Sequence, residues 1–190
     1  MLLDIGVGIL SAIFASILFN VNLGWTLFLF AIVSSLLPDI DTIFHIRAGR
    51  SMDSHKAHEH RDLWHYPLLY IPVGTLVIGY FSYIYGFLFA LTSFLHFLHD
   101  SIGVGWGIQW LYPFSRKHYS FFYHYDIFRN NLPKHLIYSW TNKEVEELSE
   151  KYGDKDWLKN IYLKWHPYAI IELLVFIVSL IFLYLKYGNS

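Results

Sequence analysis

Apolar residues gather into long blocks separated by brief polar interruptions, and the block lengths suit membrane-crossing helices. The first block runs from Leu2 to Phe19 and breaks at Asn20-Val21-Asn22. The second runs from Leu23 to Leu37 and stops at Pro38, which lacks the N–H that a helix interior requires. From Pro67 to Leu98 there is no Asp, Glu, Lys or Arg. A single helix of that length would measure about 48 Å against roughly 30 Å of hydrocarbon. The pattern therefore predicts two crossings folded around Ser82 to Gly86. The last block runs from Tyr168 to Tyr187, with Glu172 as its only acid. The expected fold is all-α, a polytopic membrane helical bundle in one membrane domain, with spans at 2–19, 23–37, 67–81, 85–99 and 168–187. Between the last two spans, 103–166 is expected to be cytoplasmic or interfacial. Its first half is aromatic and irregular, as in a headgroup zone. Its second half carries a capping-box pattern, Thr141-Asn142-Lys143-Glu144. Gly153 can stop that helix and Asp154 can start another that ends before Pro167.

Composition sharpens the membrane reading. Hydrophobic residues make up 55% of the 190 and charged residues 15%, where a soluble domain carries roughly 25% charge. Basic residues then fix an orientation. Four of the 14 Lys and Arg (Arg47, Arg50, Lys56, Arg61) lie between spans two and three, and nine between spans four and five. With five spans both basic loops share a side with the N-terminus, and the positive-inside rule makes that side cytoplasmic. Four spans would divide the basic loops between opposite sides. The N-terminal Met-Leu-Leu-Asp has no basic residue before its apolar stretch, so the first block is expected to be a retained span. A net charge of −1 and interleaved acids in the basic loops argue against a nucleic-acid partner. With no cysteine, thiolate metal sites, disulfides and cysteine nucleophiles are excluded.

Three polar clusters then stand out, all at the cytoplasmic ends of the predicted spans. They are Pro38-Asp39-Ile40-Asp41, then His60-Arg61-Asp62-Leu63-Trp64-His65, then His96-Phe97-Leu98-His99-Asp100. On a helix His96 and Asp100 share a face, four residues apart. Ionisable groups at the edge of hydrocarbon are costly unless paired, hydrated or metal-bound, and two near-adjacent Asp repel unless a cation neutralises them. Imidazole with carboxylate suits zinc first, with Mn2+ or Fe2+ as alternatives. Asp39, Asp41, His60, His65, His96 and Asp100 are the candidate ligands, enough by count for one or two ions. Plainer readings compete at each cluster: Pro-Asp-x-Asp as a solvated helix stop, His96 and Asp100 as a structural pair between helices. His55 and His58 read as polar loop residues, and His118, His124, His135 and His166 as interfacial or exposed.

The same residues carry a resemblance. Pro38 to Asp41, His60 to Tyr66, His96 to Asp100 and Leu111-Tyr112-Pro113-Phe114-Ser115 resemble the motifs of the YdjM-like family of inner-membrane metal-dependent hydrolases, of the LexA-regulated type, from span two to about Phe122. Where that family has Gly, Thr and Ser in its second motif, Asp62, Trp64 and Tyr66 stand here. His96-x-x-x-Asp100 is also similar to part of the zinc site of the phospholipase C and P1 nuclease superfamily. The resemblance implies metal-assisted hydrolysis at the cytoplasmic face of an inner or plasma membrane. Arg61 would pair with an anionic substrate group and His99 would serve as proton carrier or ligand partner. Membrane lipid is the expected partner, and a lipid-like phosphoester the expected substrate. The competing expectation is a non-enzymatic metal-binding scaffold or transporter component, which spans nearly free of polar residues argue against on the transporter side.

Overall fold

In a computed structural model, residues 1–40, 65–102, 106–122, 135–152 and 156–187 are described. Their helices are α1 (Leu2–Leu18), α2 (Trp25–Leu36), a 3-10 turn at Leu37–Asp39, α3 (Pro67–Phe81), α4 (Tyr83–Ser101), α5 (Asn142–Tyr152), α6 (Trp157–Tyr162) and α7 (Pro167–Tyr187). The chain is mostly helical, and its apolar helices lie where the apolar blocks are. By length and composition only α7, 21 residues long, suffices to cross a membrane among the described residues. α1, α2 with its 3-10 turn, and α3 are apolar but shorter. α4 is long enough at 19 residues, but Thr92, Ser93, His96, His99 and Asp100 dilute its apolar character.

The all-α expectation needs one correction. His118–Phe121 (β1) and Ile137–Trp140 (β2) pair antiparallel, with His118 opposite Trp140 and Phe121 opposite Ile137. β1 alternates buried and half-buried positions, the period of a strand with one face covered. Aromatic residues favour that pleated surface; in the sequence they looked like headgroup aromatics.

Two compact units divide the chain. The first comprises Met1–Pro38, Ile71–His96 and Ile161–Ser190. Small residues let its helices approach closely: a Cβ on Gly8 would stand 2.8 Å from the Ile32 Cα, and one on Gly6 would stand 3.1 Å from the Phe176 Cα. α1 thus packs against both α2 and α7 through glycine, as helices do where no water drives them together. Glu172, Phe176 and Ser179 form the stripe of α7 on that side, while Ile171, Leu174, Ile181 and Leu185 are exposed. Ala12, Ala15, Leu27, Ala31 and Leu88 make the apolar core. Within it Ser34 and Thr92 share a buried hydroxyl pair at 2.9 Å. α3 and α4 turn about the single residue Ser82, where a Cβ on Gly86 would meet the Gly79 Cα at 2.7 Å.

The second unit comprises Asp39–Tyr70 and Phe97–Asn160. It holds the strand pair, α5, and the C-terminal turn of α4. Ser101 anchors that turn: its hydroxyl donates to the Phe97 carbonyl at 2.8 Å and accepts from Trp110 Nε1 at 2.7 Å. Ser120 Oγ of β1 donates to the Ser101 carbonyl at 3.2 Å. A helix end otherwise leaves its last carbonyls unsatisfied, so the aromatic segment closes α4 by hydrogen bonding. The expected capping box is present, with Thr141 N–H donating to Glu144 Oε2 at 2.7 Å and Glu144 N–H to Thr141 Oγ1 at 3.3 Å. α5 is described to Tyr152, and Gly153 and Asp154, expected to divide it from the next helix, lie outside the described residues.

Candidate metal centre

The site is built on the last turns of α4, an uninterrupted helix that carries His96 and, one turn later, Asp100. Helix periodicity puts both on one face. Asp39 comes from the 3-10 turn that ends α2, where Pro38 is buried. His65 precedes α3, whose first turn is started by Pro67 and by the Tyr66 carbonyl accepting from Leu69 and Tyr70 N–H. The His65 ring packs edge-on against Phe97, as does Tyr70, and Tyr66 stacks on Tyr112 at 4.1 Å between centroids. Tyr66 of the second motif and Tyr112 of the fourth therefore meet through a ring stack.

His65 Nε2 lies 3.2 Å from Asp100 Oδ2 and 3.8 Å from Asp39 Oδ1. His65 is 1% exposed and His96 2%, while the Asp100 side chain is 12% exposed and that of Asp39 38%. One ligand atom from each of Asp39, His65, His96 and Asp100 falls within 4.8 Å of the others. His96 Nδ1 sits 3.0 Å from Asp4 Oδ1 of α1, where Asp4 is 1% exposed. Asp4 Oδ2 lies 3.0 Å from the Met1 amine, and Ser35 Oγ donates to the Asp4 carbonyl at 2.7 Å.

These residues fit a divalent cation. A tetrahedral zinc ion bonds nitrogen and oxygen at about 2.0–2.2 Å, which sets its ligand atoms roughly 3.4 Å apart. His65 Nε2 and Asp100 Oδ2, at 3.2 Å, are already near that spacing, and the group as a whole, within 4.8 Å, would close by about 1.4 Å at its widest. Two imidazoles and two carboxylates form a hard-to-borderline donor set compatible with zinc, manganese or iron, and the set does not choose among them.

Of the six ligand candidates read from the sequence, four converge, and Asp41 and His60 lie outside the described residues. Arg61 lies outside them too. His99 is half-buried on α4 and is not one of the four grouped residues. Two histidines expected to be interfacial or exposed are buried. His118 is 5% exposed, with Nε2 3.2 Å from Asn142 Oδ1 and 3.0 Å from Gln109 Nε2. His166 is 7% exposed and its Nδ1 accepts from Tyr168 N–H at 3.2 Å, capping α7. Burial holds the His166 pKa below the usual imidazole range. Asp4, absent from the candidates read from the sequence, contacts the grouped His96, and a lone acid in an apolar helix is a signal that could have drawn notice.

Among curated proteins and among solved structures nothing matches this chain. The profile of the YdjM inner membrane protein family matches residues 4–189. That match takes in every described residue of the site, Asp4 included, and extends beyond the motif-bearing stretch on both sides. Covering nearly its whole length, it means that the chain belongs to the YdjM inner membrane protein family.

Proposed function

We propose that this chain is a membrane-embedded, metal-dependent hydrolase acting on a lipid-like phosphoester at the cytoplasmic face. The observation that carries the reading is the convergence of Asp39, His65, His96 and Asp100, drawn from three distant stretches of sequence. A divalent cation there, zinc by first preference, would supply Lewis-acid polarisation of the ester and acidify water near neutral pH. His65, His96, Asp100 and Asp39 would hold it. Asp41 and His60 extend the candidate set, and with them a second ion becomes affordable by ligand count. Arg61 would orient the substrate's phosphate through its bidentate fork. His99, three residues after His96 on the same helix, would move protons at the edge of the site. The five-crossing topology belongs to the same reading, with the shorter helices spanning a locally thinned bilayer.

Purified in detergent, the protein is expected to carry about one zinc-class ion per chain by elemental analysis, and Asp100→Ala to lose it. A chromogenic phosphodiester and phospholipid analogues then test turnover. Product release that a chelator stops, and that Asp100→Ala lacks, supports the hydrolase. Bound metal with no turnover on either probe would favour a binding scaffold, and a metal-free protein would sink both readings.

A further inference from the structure

We infer that Asp4 is a positioning residue of the metal centre, holding His96 in the tautomer that leaves Nε2 as the ligand atom. This rests on the metal-centre reading above and adds to it a group outside all three polar motifs. A neutral imidazole has one N–H and one lone pair. The nitrogen 3.0 Å from a carboxylate oxygen takes the proton, so Nδ1–H donates to Asp4 Oδ1 and Nε2 keeps the lone pair. Both side chains are 2% exposed or less. The Asp4 backbone is itself fixed, because Ser35 Oγ donates to its carbonyl at 2.7 Å. Carboxylate–histidine pairs of this kind orient a ligand ring and raise its basicity, and their removal typically costs 10–100-fold in metal affinity.

A pair that merely ties α1 to α4 would share the hydrogen bond but leave metal affinity untouched. The test measures Zn2+ affinity by chelator competition, and the visible spectrum of the Co2+-loaded protein, in wild type, Asp4→Ala and Asp4→Glu. Asp4→Ala is expected to bind about 10–100-fold more weakly, with a shifted Co2+ spectrum. Asp4→Glu is expected to recover part of that loss. Folding is followed by circular dichroism and gel filtration. Should Asp4→Ala fail to fold, nitrogen-15 NMR of wild-type histidine rings decides, the His96 signals being those missing from His96→Gln. The expected state is a protonated Nδ1 with Nε2 on the metal. A proton on Nε2, or a folded Asp4→Ala with affinity within twofold of wild type, overturns the inference and leaves the metal centre standing. A wild type that binds neither ion overturns the metal centre, and the inference with it.

Discussion

His65 faces two carboxylates at unequal distance, 3.2 Å to Asp100 and 3.8 Å to the more exposed Asp39. That inequality ranks the ligands. His65→Ala and Asp100→Ala are expected to abolish bound metal, whereas Asp39→Ala keeps a fraction of it, because a partly hydrated carboxylate can be replaced by water. Metal per chain after gel filtration checks the order. His166 has a different signature. Its pKa is lowered in the folded protein by burial, so the unfolded chain takes the proton first. Stability is then complete above about pH 6.5 and declines as pH falls from there through the folded value. Protonation of Nδ1 would also break its acceptance from Tyr168 N–H. The melting temperature should fall as pH drops below about 6.5 in wild type, and fall less in His166→Asn. At this scale the four grouped residues Asp39, His65, His96 and Asp100 were legible as candidates because Asp and His are conspicuous at the edge of hydrocarbon. Asp4 was not, since its partner lies 92 residues away and no spacing rule reaches that far. His118 and His166 were misjudged because polarity says nothing about whether a local pocket exists.

Helix packing rests on absent side chains. The Cβ of Gly8→Ala would meet backbone at 2.8 Å, which forces α1 from α2 and is expected to cost about 1–3 kcal/mol by overpacking. Gly24→Ala, with nothing within 4 Å of its Cβ, serves as the comparison, and thermal unfolding in detergent reads both. The Thr141–Glu144 capping box gives α5 an acid-sensitive start. Hydrogen bonds from the Thr141 N–H and hydroxyl pull the Glu144 carboxyl below its ordinary value, so its help to the first turn is present above about pH 4.5 and is lost as pH falls through the lowered pKa. Amide protection at the first turn of α5, taken relative to the intrinsic exchange rate at each pH, should fall in acid, and at neutral pH in Glu144→Gln. Such elements were readable in advance because caps and apolar blocks are local signals. The β1–β2 pair was not, for its stability comes from a partner strand some 16 residues on and from the α4 terminus it closes.

At the scale of the whole molecule, the absence of cysteine turns topology into a direct measurement. Single cysteines placed at Asn22 and at Glu147 are expected to react with a membrane-impermeant maleimide from opposite sides of the bilayer if five crossings hold. Reaction from one side would remove that topology without touching the ligands. The apolar helices were readable because block lengths are local, and the α3–α4 turn at Ser82 was readable because an apolar run of that length exceeds one crossing. α4 also encodes the site as an angle. Each residue turns a helix by about 100°, and the four-residue step from His96 to Asp100 keeps His96 toward Asp4 while Asp100 meets His65 and Ser101 meets Trp110. A chain lengthened or shortened by one residue within that step would keep every functional side chain in its composition and lose their common direction. Substitutions there can be graded in effect; changes of length cannot.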